Sequence, residues 1–278
     1  MLSSEEANAM HLKSTTLATL IIAQVLTAST SHAIQEELKT IATRPGVTQP
    51  FLLVRPDRPP VASVILFAGG HGRLALSERG IGWGSRNFLV RTRGLFAQQG
   101  FLVAVVDAPS DIGAEGLWHF RTSEAHAQDI AGVIAFLRQV ANAPVWLVGT
   151  SAGTLSAANA AARIRHGGAD GLVLTSSIMR DSRVLPYTLT DITLQDIAMP
   201  TLFVHHKDDS CRATPYEDIP GVIKKLTRAP KVELLTFTGG DPPRSEPCEA
   251  SSRHGFLGLE APVVGAISAW IKATSEVQ

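Results

Sequence analysis

The chain has 278 residues, 45% of them hydrophobic, with 25 Lys and Arg balanced by 25 Asp and Glu. That length suffices for one sizeable core in a single α/β domain. Zero net charge removes the electrostatic argument for nucleic acid or an anionic membrane as partner.

The first 33 residues read as a signal peptide. Lys13 precedes the apolar stretch Leu17–Leu26, and Ser31, His32 and Ala33 supply a small-x-small end. The stretch is too short and too polar to span a bilayer comfortably. Glu5 and Glu6 are unusual in such a leader, which makes Met10 an alternative start to Met1. A helix packed on the domain is the other reading of this segment. With cleavage after Ala33, residues 34–278 form the exported domain. No cysteine lies near the cleavage region, so no lipid or other membrane anchor is expected.

Glu37–Ala42 and Phe51–Val54 predict a hairpin around Arg44-Pro-Gly46, and Ala62–Phe67 a buried strand. Gly69, Gly70, His71 and Gly72 follow it. Ser85–Gln99 reads as a helix ended by Gly100, and Phe101–Val106 as a fully apolar strand of the kind parallel sheets require. Ser123–Ala141 carries Ile130, Val133, Ile134, Leu137 and Val140 at helical spacing. Val145 opens a strand that runs into Gly149-Thr-Ser151-Ala-Gly153, and Leu155–Ile164 predicts an Ala-rich helix. Gly171–Thr175 is a strand. The interval from Ser176 to Met199 has room for one small helix around Asp191–Ile197. Pro200–Val204 and Lys231–Phe237 are strands, while Pro220–Arg228 and Ala261–Lys272 are helices. Strands alternating with helices predict a mostly parallel, twisted sheet of about eight strands covered on both faces.

Strand, Gly-x-Ser-x-Gly, helix is the context of a nucleophile elbow. Ser151 sits at its tip, near the start of a helix that favours developing negative charge. A serine hydroxyl needs a base, and the base an orienting acid. Asp208 and Asp209 lie just past the strand ending near Val204, and His254 follows the last strand after a long loop.

In these residues and their order the chain resembles the α/β-hydrolase superfamily, in particular its small serine esterases and dienelactone-hydrolase-like members. The resemblance covers about Glu37 to Thr274. It implies Ser151 as nucleophile, Asp209 as acid and His254 as base, with Asp208 the alternative acid and Asp181 a further one. It also implies an oxyanion hole from the backbone N–H groups of Ala152 and Gly70, with His71 as the neighbouring option. Dienelactone hydrolases use cysteine where this chain has Ser151, so their substrate is not implied. The short Ser176–Met199 interval implies little or no lid and a small-molecule ester as substrate. No metal or organic cofactor is implied. Thioester or amide cleavage and a non-catalytic binding role are the alternatives.

Two cysteines in an exported chain predict a disulfide, Cys211 to Cys248, tying the acid loop to the histidine loop; two free thiols are the other reading. His205 and His206 are adjacent, so a strand would point them to opposite faces, and no Cys-x-x-Cys accompanies them; a metal site is not expected. They are read as supports of the acid loop. His119, His126 and His166 are read as surface or loop groups. Trp83 and Trp118 either line a substrate pocket or cap the core.

Overall fold

The computed structural model describes residues 34–276; the expected signal peptide lies outside them. No described helix is long and apolar enough to cross a membrane.

Eight strands form one sheet. They are β1 (Gln35–Arg44), β2 (Val47–Arg55), β3 (Ala62–Phe67), β6 (Phe101–Val106), β7 (Val145–Thr150), β8 (Gly171–Thr175), β9 (Thr201–His206) and β10 (Val232–Phe237). Two further short strands, β4 (Leu76–Ser77) and β5 (Gly80–Ile81), pair in the loop after β3. The large sheet has the order β1-β2-β6-β3-β7-β8-β9-β10. Only β2 runs against the others.

Side chains alternate across a strand, and the two faces carry different helices. Phe51, Ile65, Phe67, Ala104 and Leu147 pack with α2 (Glu124–Val140) and α3 (Gly153–Arg163). Leu52, Val64, Leu66, Val103 and Val148 pack with α1 (Phe88–Gln98) and α5 (Glu260–Ser275). Each central strand is thus apolar on both faces, which explains the uninterrupted hydrophobic runs.

From β3 the chain winds through α1 to β6 on one side, then crosses through α2 to β7 on the other. The strand order therefore reverses between β3 and β7. The crevice beyond the carboxyl ends of strands at such a switch point is where these sheets bind ligands. The glycine turn after β3 and Ser151 after β7 both open there.

Some boundaries differ from expectation. Helix α1 starts at Phe88 because Asn87 is the N-cap, its side chain accepting from Leu89 N at 3.2 Å. The helix expected over Pro220–Arg228 is only α4 (Ile219–Ile223): Ile219 and Val222 are buried, and beyond it Leu226 still packs into the core from outside any helix, between the exposed Lys224, Lys225 and Arg228. The interval before β9 holds two single 3₁₀ turns, Leu189–Asp191 and Leu194–Asp196, in place of one helix. Leu189, Leu194 and Ile197 are buried in the core beside α3, so this segment closes the domain and forms no lid.

Candidate active site

Ser151 has φ +53°, a left-handed conformation that costs a non-glycine residue about 1–3 kcal/mol. Its surroundings impose it. Ser151 N donates to Thr175 O at 3.0 Å on β8, and Ser151 O accepts from Thr154 N at 2.9 Å and from Thr154 Oγ1 at 2.6 Å. Gly153 is required because a side chain there would overlap the Phe67 carbonyl at the end of β3. The elbow is thereby pressed between two strands, and the glycine turn lies over it: a Cβ built on Gly69 would sit 2.9 Å from Ser151 Cβ.

Asp209 follows β9 and is buried between the exposed Asp208 and Ser210. Its Oδ2 lies 2.9 Å from His254 Nδ1 and accepts from Thr214 Oγ1 at 2.8 Å, while Oδ1 accepts from Cys211 N at 3.0 Å. Burial works to raise the Asp209 pKa. The hydrogen bond and charge of His254, the Cys211 N–H and the Thr214 hydroxyl outweigh it and hold the carboxyl below its usual range. An ionised Asp209 requires His254 Nδ1 to carry the proton, which leaves Nε2 as the proton acceptor. Nε2 is buried without a partner among the described residues.

His254 itself sits in a 3₁₀ turn, Arg253–Gly255, separate from α5. Three contacts fix that turn. Ser176 Oγ donates to His254 O at 2.7 Å, Arg91 Nη2 donates to Gly255 O at 2.5 Å, and Phe256 packs on Phe88 with ring centroids 4.9 Å apart. A disulfide joins Cys211 to Cys248, linking the Asp209 turn to the loop before His254.

Ser151, His254, Gly69 and Gly70 line one cavity of about 750 Å³. The rest of its wall includes Trp83, Arg86 and the loop from Arg244 to Ser251. The Trp83 ring stacks on His71 with centroids 3.7 Å apart. Trp118, in contrast, packs against the core, while Trp83 lines the cavity.

The competing carboxylates lie elsewhere. Asp208 is exposed, its N–H donating to His206 Nδ1 at 3.0 Å, and Asp181 is exposed as well. His205 and His206 do brace this region: His205 Nε2 accepts from Ser177 N at 2.8 Å, and His206 Nε2 lies 3.0 Å from Gly239 O. Burial pushes the His205 pKa down to about 3, against the opposing charge of Asp209, so it is neutral. His126, expected at the surface, is fully buried on the core face of α2, and burial with the Arg121 and Arg44 charges lowers its pKa to about 3. Thr214, Ser176 and Arg91 were not legible as site residues; each comes from a segment with no local motif. Among the described residues no group of His, Cys, Asp and Glu is placed to hold a metal ion.

No family model matches the chain, and no curated protein does. Solved structures do. An α/β serine hydrolase without a lid from Xanthomonas campestris superposes with a TM-score of 0.58 at 15% identity, over 86% of this chain and 94% of that one. A Pyrococcus furiosus esterase gives 0.63 at 12% identity, over 87% and 92%. Est1E from Butyrivibrio proteoclasticus, solved with ferulic acid bound, gives 0.59 at 14% identity, over 85% and 98%. This is the α/β-hydrolase fold. Within the hydrolase fold Ser151 after β7, Asp209 after β9 and His254 after β10 lie at the same end of the sheet.

Proposed function

We propose that the protein is an exported serine hydrolase of carboxylic esters. The observation that carries the reading is the oriented imidazole. His254 is held at Nδ1 by a buried, ionised Asp209, with Nε2 unpartnered in the cavity that Ser151 lines.

In this reading His254 Nε2 takes the Ser151 proton as Oγ forms a bond to the ester carbonyl carbon. The tetrahedral oxyanion is met by the Ala152 N–H and by an N–H of the Gly69–His71 turn. His254 returns the proton to the departing alcohol as the carbon–oxygen ester bond breaks. Water then repeats the sequence on the acyl-enzyme, releasing the acid and restoring Ser151. Export rests on the leader sequence, and the Cys211–Cys248 disulfide supports it, because such bonds persist in oxidising compartments.

A fluorophosphonate probe tests the chemistry. Labelling at Ser151, together with turnover of a p-nitrophenyl ester panel, is the expected result; an unlabelled, folded protein refutes the reading. N-terminal sequencing of protein recovered outside the cytoplasm tests export, with Ile34 expected as the first residue.

A further inference from the structure

Arg121 is among the most deeply buried large side chains of the molecule, 1% exposed, and no carboxylate among the described residues pairs with it. An unpaired guanidinium in the interior is costly unless its hydrogen bonds and charge are used. Its hydrogen bonds go to one place. Nη2 donates to Ala68 O at 3.0 Å and to Gly70 O at 2.9 Å, and Nη1 donates to Ser156 Oγ at 2.8 Å on the helix that follows the elbow. Gly72 leaves the space for it, since a side chain there would overlap the guanidinium.

The two gripped carbonyls belong to the Ala68–Gly69 and Gly70–His71 peptides. In a trans peptide the N–H points opposite to the C=O. A cation holding both carbonyls therefore turns the Gly69 and His71 N–H groups away from itself. Neither donates to another group among the described residues, and the Gly69–Gly70 turn lines the cavity over Ser151. The same contact polarises both peptides, which makes their N–H groups stronger donors.

We propose that Arg121 is the positioning residue of the oxyanion site: it clamps the Ala68–Gly70 turn from behind and directs the positive ends of two peptides at the charge that develops above Ser151. The proposal rests on the reading of Ser151 as nucleophile. It selects the Gly69 and His71 N–H groups as the donors held by the clamp, in place of the Gly70 N–H expected from sequence. Arg121 touches neither substrate nor reacting atoms. Its contribution is differential, because the ground-state ester carbonyl carries little charge and the tetrahedral oxyanion carries a full one.

The test compares Arg121→Met and Arg121→Lys with the parent enzyme in kcat, KM, affinity for an alkyl boronic acid that forms a tetrahedral adduct on Ser151, and melting temperature. Expected for Arg121→Met is a kcat loss of about 10²–10³-fold with KM within about threefold. Boronate affinity should fall in parallel with kcat/KM, measured well below the melting temperature. Arg121→Lys keeps a buried cation that reaches one carbonyl, and its losses should be intermediate on the same line. A folded Arg121→Met with kcat within about threefold of the parent overturns the proposal, as does a loss confined to KM or to melting temperature. Should Arg121→Met fail to fold, Arg121→Lys decides: parental kcat and boronate affinity in that variant overturn the clamp. Fluorophosphonate labelling of the parent keeps the two readings apart, since an unlabelled parent sinks the nucleophile assignment itself.

Discussion

Asp208 and Asp209 are neighbours in sequence and opposite in environment: one is exposed, the other buried against His254. Asp209→Asn should lower ester turnover about 10³-fold or more, because an amide no longer selects the Nδ1–H tautomer. Asp208→Asn should stay within about threefold. Steady-state kinetics on one soluble ester checks both, and a larger loss at Asp208 would reverse the assignment. His126 is a second residue with a measurable signature. Both its ring nitrogens are buried without partners among the described residues. Its folded pKa of about 3 lies below its ordinary 6.5. As pH falls below 6.5 the unfolded chain takes up a proton that the folded protein refuses until about pH 3, so stability is lost over that window. His126→Leu should therefore stabilise the protein, and should flatten the pH dependence of stability below 6.5 by up to about 1.4 kcal/mol per pH unit. Denaturant titrations at pH 7.5 and pH 5 measure this; an unchanged slope would show that His126 does not titrate on unfolding.

At the scale of elements, the disulfide and the two loops it joins behave as one unit. Closing 37 residues of chain stabilises the fold by about 3–4 kcal/mol in the loop-entropy picture. The bond joins the loops that carry Asp209 and precede His254, and no strand of the central sheet. Reduction should thus lower turnover at temperatures where far-ultraviolet circular dichroism still reports a folded domain. Full activity in the reduced, folded enzyme would make the bond a purely structural staple. Sequence patterns located the central strands well because each is buried on both faces and reads as an unbroken apolar run. They singled out Ser151 and Asp209 because each follows such a run, and His254 by its order after the half-buried β10. They misplaced the start of α1, where the cap is Asn87 and not Ser85, and overextended α4. His126 was legible in principle: it stands four residues before Ile130, on the same helical face. Arg121 and Ser176 were not, since each acts on a segment far away in sequence, and Thr214, five residues after Asp209, carries no motif that marks it.

For the whole molecule, the segment between β8 and β9 is short and anchored in the core through Ile178, Leu185, Leu189, Leu194 and Ile197, and none of it lines the cavity. An enzyme of this shape has no lid to displace at an oil–water boundary. Its rate should follow a single hyperbola as a short-chain triglyceride passes its solubility limit. A jump in rate above that limit, measured by titration of released acid, would contradict the lidless reading.

The loop that walls the cavity opposite the glycine turn is pinned at its margins. Asp241 N donates to Leu257 O at 2.9 Å, Arg244 N donates to Ser251 O at 2.8 Å, and Cys248 is covalently held. Between those anchors Ser245 and Glu246 line the cavity and make no hydrogen bond to Asp209 or His254. Substitutions at these two positions should change what the cavity admits while leaving how it reacts unchanged. The molecule therefore separates selectivity from chemistry along a handful of residues, and that short stretch is an exchangeable cassette on which selection, natural or in the laboratory, can act alone.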